Sequence, residues 1–151
     1  MPQSLACVWL HIVFSTNERR AYLQREDFRL EMFPMLGHHI EQAGCVPVLA
    51  RGWHEHVHLV CGLTRTVTIA ALVEHVKVET SKWAKKAPHG VGTFAWQSGY
   101  AAFSVSQSNL GKVVVYVRNQ ATHHQRLSYQ DEYRELCVRH QLQIDERYVW
   151  D

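Results

Sequence analysis

Residues 54–58 read His54-Glu55-His56-Val57-His58, the densest run of metal-ligating and proton-carrying side chains in the chain. Three imidazoles and a carboxylate can bind a divalent cation or move protons, and the backbone decides which of them act together. On a helix, His54 and His58 would share one face with Glu55 beside them, the zinc metalloprotease arrangement. On a strand, His54, His56 and His58 would line one face. The flanks favour the strand. Upstream, Val46-Pro47-Val48-Leu49-Ala50-Arg51-Gly52-Trp53 is β-rich and ends in a turn signal, and downstream Leu59-Val60-Cys61-Gly62 continues apolar and stops at glycine. The segment therefore predicts a hairpin whose second strand turns Val57, Leu59 and Cys61 into a core. His56 and His58 then face the other way, toward something polar.

A second group lies on a helix predicted to begin near Ser106 or Ser108. Tyr116 and Gln120 are four residues apart and so share a face, distinct from the stripe of Leu110, Val113, Val114 and Val117. That places Tyr116 outward and lets Gln120 offer an amide oxygen. Two strand imidazoles and one amide oxygen make a three-ligand half-shell that leaves positions open on a divalent metal. Such an ion can act as a Lewis acid on a phosphate oxygen. Tyr116 could then attack phosphorus, forming a phosphotyrosine that conserves the energy of the broken phosphodiester for rejoining. Mixed nitrogen and oxygen donors suit Mg2+ or Mn2+, although imidazoles also accept zinc or nickel. His123 and His124 follow one turn later, where they could approach the metal as well, although capping the helix C-terminus is the expected role.

The elements that must position these groups can be read from periodicity. Residues 7–14 alternate as a strand, with Val8, Leu10, Ile12 and Phe14 opposite Trp9, His11 and Val13. Phe28, Met32, Leu36, Ile40 and Ala43 fall at helical spacing over 25–43, and Gly44 is the expected stop. Pro34 should kink or break that helix, at a cost of about 3 kcal/mol, which predicts two shorter pieces. Ile69, Leu72, Val73, Val76 and Trp83 mark a second amphipathic helix, with Thr66 or Thr68 as its N-cap. Its polar side carries Lys77, Lys82, Lys85 and Lys86, either a solvated face or one that meets phosphates. Residues 100–106 alternate as a fourth strand, and 129–140 form a last helical stretch. The order predicts a ferredoxin-like α+β fold, a four-stranded, mainly antiparallel sheet with helices on one face, to which a C-terminal catalytic helix is added.

At 151 residues the chain fits one domain with a core that needs neither disulfides nor a structural metal. Cys7, Cys45, Cys61 and Cys137 are widely scattered and read as buried free thiols. The formal charge of +2 neither demands nor excludes a nucleic-acid partner. No apolar stretch approaches the roughly 20 residues of a membrane span. With no secretory signal at the N-terminus, a cytoplasmic protein is expected.

His56-Val57-His58 resembles the HUH motif, histidine–hydrophobic–histidine, and Tyr116-Val117-Arg118-Asn119-Gln120 resembles the catalytic helix of the single-tyrosine HUH transposases. These are the small enzymes of insertion sequences that move as single-stranded DNA, together with the REP-associated tyrosine transposases. The segments 11–16, 94–106 and 145–151 resemble blocks of the same family, so nearly the whole length is covered. The resemblance implies that Tyr116 cleaves single-stranded DNA, leaving a 5′-phosphotyrosyl link and a free 3′-hydroxyl, while His56, His58 and Gln120 hold the metal. It implies a homodimer in which one subunit's tyrosine helix can complete the other's metal site, and a substrate folded as a hairpin near the element's end. Arg19, Arg20, Lys82 and Lys85 are DNA-binding candidates by charge alone.

Three readings compete. His54-Glu55-x-x-His58 matches a metalloprotease only if the segment is helical. A histidine-triad nucleotide hydrolase fits poorly, because Glu55 stands where that pattern wants a hydrophobic residue and its nucleophile is histidine. A pure nucleic-acid-binding module, stacking bases on Trp9, leaves the convergence of Tyr116, Gln120 and two histidines without a purpose, whereas a domesticated relative that binds hairpins without cutting stays open as the alternative.

Overall fold

The computed structural model describes residues 2–151. Strands β1 (Trp9–Ser15), β2 (Val46–Gly52), β3 (His56–Gly62) and β4 (Ala101–Val105) form one sheet in the order β2-β3-β1-β4, with every neighbouring pair antiparallel. Helices α1 (Glu26–Gln42) and α2 (Ile69–Lys85) are the crossovers of the ferredoxin-like arrangement. They are followed by α3 (Leu110–Arg118), the single turn α4 (Gln120–His123) and α5 (Tyr129–Arg139).

Strand alternation separates two faces. Leu10, Ile12 and Phe14 of β1 and Val57, Leu59 and Cys61 of β3 pack with Phe28, Met32, Leu36 and Ile40 of α1 and Leu72, Val73 and Val76 of α2. On the opposite face Val13, Ala101 and Phe103 meet Tyr129, Tyr133, Leu136 and Cys137 of α5, and α3 lies over β2 and β3. With both faces covered, every residue of β3 is buried. The polar residues on its second face are therefore interior groups that must find partners there.

Several expectations are corrected. Pro34 does not divide α1, which runs unbroken with Phe28, Met32, Phe33, Leu36 and Ile40 buried. Burial of five large side chains, each contributing roughly 1.5–3 kcal/mol, outweighs the proline's lost hydrogen bond. Gly44 ends that helix region with φ of +86°, a left-handed conformation suited to glycine. Of the stripe predicted on α3 only Val117 is fully buried, while Leu110, Val113 and Val114 are half-buried and Val113 borders the cleft between α3 and α5. Cys45, Cys61 and Cys137 are buried as expected, whereas Cys7 is exposed. Among the described residues, no helix is long and apolar enough to cross a membrane.

Candidate active site

The hairpin β2–β3 is extended at 56–62, so His56 and His58 share the α3/α5 face of the sheet while His54 lies in the turn. That geometry removes the helical metalloprotease reading. The turn is fastened from below: Thr16 N–H donates to the Glu55 carbonyl at 2.8 Å, Leu23 N–H to the His54 carbonyl at 2.9 Å, and Trp53 N–H to the His56 carbonyl at 3.1 Å. These bonds hold Glu55 so that its carboxylate reaches His56 Nδ1 at 2.6 Å. His58 Nδ1 is held in turn by His11 Nε2 at 2.7 Å, from the neighbouring strand β1. Each imidazole thus has its Nδ1 occupied and its Nε2 directed toward one point.

That point is occupied by Glu132, in the first turn of α5 and 1% exposed. Its Oε1 lies 2.9 Å from His58 Nε2, 3.4 Å from His56 Nε2 and 3.2 Å from His124 Nε2. Its Oε2 accepts the Tyr116 hydroxyl and, at 3.0 Å, the Gln120 amide N–H. Gln120 Oε1 lies 3.0 Å from His56 Nε2 and 2.9 Å from His124 Nε2. Tyr116 is half-buried, its hydroxyl turned inward to Glu132 and not out to solvent. Gln120 does not continue α3: Asn119 bends the chain at φ −95°, ψ 24°, and Gln120 opens α4. The spacing of four residues nevertheless brings both side chains to the same carboxylate.

The donors suit a divalent ion. His56, His58 and Glu132 each offer one ligand atom, and these atoms lie within 4.8 Å of one another. Gln120 Oε1 is adjacent, and a carboxylate with an amide oxygen among imidazoles favours harder cations more than imidazoles alone.

The charges are consistent with one another. Burial works against ionising His56, yet Glu132 and Glu55 prevail and raise its pKa to about 9. Burial lowers the pKa of His58, and burial together with His58 lowers that of His11 to about 3. Burial likewise opposes the Glu132 anion, but His58, His124 and His56 hold its pKa far below the usual carboxylate range. Burial and then the Glu132 charge push the Tyr116 phenol well above its ordinary value. At rest the phenol is protonated, and it needs added positive charge to become a nucleophile.

His56, His58, Tyr116 and Gln120 converge, as the sequence predicts. His124 corrects an expectation: it closes α4 and bonds the Leu127 carbonyl through Nδ1, but its Nε2 also enters the site. Glu132 and His11 escaped sequence reasoning. Their signals were faint: a carboxylate within the stripe Tyr129, Tyr133, Leu136, and an imidazole on the site-facing side of β1. The charged DNA-binding candidates lie apart from this cluster. Arg20 pairs with Glu18 at 3.0 Å, and Arg19 bonds the Trp150 carbonyl at 3.4 Å. Lys82 and Lys85 sit on α2, across the sheet from the histidines, with Lys82 paired to Glu79 at 3.4 Å.

Comparison with known proteins adds an independent line. Residues 4–120 match the family model described as transposase, IS200 like. No curated protein matches significantly. Among solved structures, a candidate transposase from Deinococcus radiodurans R1 is 23% identical with a TM-score of 0.58, covering 80% of this chain and 95% of the other. A REP-associated tyrosine transposase bound to a REP hairpin is 16% identical with a TM-score of 0.54, covering 82% and 74%. At these identities the two structures establish a shared fold.

Proposed function

The chain belongs to the IS200-like transposase family, and from that premise we propose that it cleaves and rejoins single-stranded DNA at element ends through Tyr116. The observation that carries this reading is the Tyr116 hydroxyl bonded to Glu132, the same carboxylate that touches His56 and His58. A tyrosine nucleophile and a cation seat are thereby joined through one side chain.

His56, His58, Glu132 and Gln120 would hold a divalent ion, Mg2+ or Mn2+, which supplies Lewis acidity toward a non-bridging oxygen of the scissile phosphate. Glu132 orients the phenol by accepting its hydroxyl in a hydrogen bond, and the proton the phenol gives up on attack balances the one the leaving oxygen takes up. The phenol oxygen then bonds to phosphorus as the bond from phosphorus to the 3′ oxygen breaks. The leaving oxygen takes up a proton as a 3′-hydroxyl, and the 5′ side remains as a phosphotyrosine. Rejoining is the reverse step with a different 3′-hydroxyl. Glu55 and His11 fix the two imidazoles throughout.

The substrate in this reading is single-stranded DNA carrying a hairpin near the element's end. Support comes from the fold shared with a transposase solved on a REP hairpin. Residues 1–151 act as one HUH transposase domain, working as a homodimer in the cytoplasm. Arg19, Arg20, Lys82 and Lys85, away from the reacting bond, are proposed to meet hairpin phosphates.

Labelled single-stranded DNA from the sequences flanking the gene, incubated with Mg2+ or Mn2+, should yield a covalent protein adduct on a denaturing gel. Tyr116→Phe should remove that adduct and leave hairpin binding intact. An adduct persisting in Tyr116→Phe would refute the nucleophile, and adducts formed on duplex DNA alone would refute the single-strand substrate.

A further inference from the structure

A strand attacked by Tyr116 must pass over the phenol with one nucleotide on each side of the reacting phosphate. The surface offers such a path. Tyr116 forms part of the wall of two cavities, one of about 240 Å³ between α3, α5 and the sheet, and one of about 140 Å³ lined also by His123, Leu127 and Glu135. Leu136 and Arg139 line both. The larger cavity adds Lys112, Val113 and His140.

Its chemistry is that of a nucleotide site. Lys112 and Arg139 take part in none of the ion pairs among the described residues. Both cations are therefore free for phosphates. His140 is stacked on Phe103 with ring centroids 4.3 Å apart, and its Nδ1 is committed to the Leu136 carbonyl at 2.9 Å. The imidazole is thus held rigid beside the apolar Val113 and Leu136, a wall against which a base can pack. The volume is below the roughly 300–1,000 Å³ of pockets for drug-sized ligands, which suits one base and no longer stretch. No acidic side chain lines this cavity, whereas the smaller one holds Glu132 and Glu135. The two cavities beside the phenol therefore differ in what they can accept.

We propose that the cleft between α3 and α5 binds the nucleotide adjoining the scissile phosphate, with its base against Val113, Leu136 and His140 and its phosphates on Arg139 and Lys112. Arg139, common to both cavities, borders the phenol together with Leu136. The assignment rests on Tyr116 being the nucleophile, and it adds the seat of the strand and the side on which a base is held.

The test is binding of fluorescein-labelled dT12 to the full-length protein, read by anisotropy across a KCl series without divalent metal. Each phosphate contact on a single strand contributes about 0.7 to the slope of log K against log salt. The double substitution Arg139→Gln with Lys112→Gln should make the slope shallower by about 1.4 and weaken binding at least tenfold at low salt. An all-abasic 12-mer should bind the unsubstituted protein at least about fivefold more weakly than dT12, the smallest loss expected for one stacked base. An unchanged slope and affinity in the double variant would overturn the phosphate contacts, and equal affinity for the abasic strand would overturn the base pocket. The two readings fail separately. An adduct formed equally well by the double variant sinks the cleft alone, whereas a missing adduct with intact salt-dependent binding sinks the nucleophile alone.

Discussion

At the level of single residues, the site depends on a carboxylate and an imidazole that hold its two central histidines from behind. Glu55 contacts His56 Nδ1 at 2.6 Å, and His11 contacts His58 Nδ1 at 2.7 Å, so each fixes the ring that presents Nε2. Loss of such an outer partner typically weakens metal binding about 10–100-fold. Glu55→Gln should therefore weaken Mn2+ binding by that factor, measured by calorimetry or by the free-ion electron paramagnetic resonance signal. Tyr116→Phe should leave Mn2+ affinity within about twofold, since the phenol bonds to Glu132 and is not itself a ligand. Equal affinities for Glu55→Gln and the unsubstituted protein would show that the ring needs no such support. This layer is also where sequence reasoning stopped. His56 and His58 were legible from alternation, and Tyr116 and Gln120 from a spacing of four. Glu132 was not, because an acidic residue within an amphipathic helix reads as solvated until the tertiary structure buries it. His124 was misjudged because its role depends on the bend at Asn119, which no periodicity announces.

At the level of elements, the hairpin β2–β3 sets the position of both imidazoles, and its closing residue has no freedom. A Cβ on Gly52 would stand 2.1 Å from the His56 carbonyl oxygen and 2.9 Å from Val57 Cα. Both are backbone atoms, which cannot swing aside as a side chain would. Gly52→Ala should cost about 1–3 kcal/mol in urea unfolding, and it should weaken Mn2+ binding because the displaced strand carries His56. Gly111, in the first turn of α3, is the comparison: nothing lies within 4 Å of its would-be Cβ. Gly111→Ala should stabilise by about 0.5–1 kcal/mol with metal affinity unchanged. If Gly52→Ala retained full stability, the hairpin would be looser than its contacts imply. Most of the elements could be foreseen because their apolar periods are clean, including the two strands that form this hairpin. Pro34 misled because the rule for an interior proline prices one lost bond and ignores the five buried side chains around it. The break between α3 and α4 stayed hidden for the opposite reason: Val117 and Gln120 continue a helical spacing that the backbone does not keep.

At the level of the whole molecule, a single polypeptide brings Tyr116, Gln120, Glu132, His56 and His58 together. Across the sheet, Lys77 of α2 makes a separate clamp. Its ammonium reaches the carbonyls of Gln97 and Gly99 at 2.8 and 2.7 Å, and burial lowers its pKa to about 8. That clamp ties the crossover helix to the loop entering β4, whose next contacts run to the C-terminal Asp151 through Gly99 N–H at 2.9 Å and Gln97 Nε2 at 3.1 Å. The single-tyrosine transposases that this sequence resembles can instead exchange the tyrosine helix between subunits, and the two arrangements make opposite predictions for mixed proteins. With the site closed within one chain, combining Tyr116→Phe with His58→Asn leaves every subunit lacking one essential group, so no adduct should form at any ratio. With exchanged helices, a mixed dimer would pair an intact tyrosine with intact histidines, and adduct would return on mixing and incubation. The same logic governs dilution, because a site complete in one subunit should form adduct at a rate per chain that does not fall as a dimer dissociates. Adduct recovered in the mixture, or lost in step with dissociation, would mean that α3 delivers Tyr116 to the histidines of a neighbouring copy.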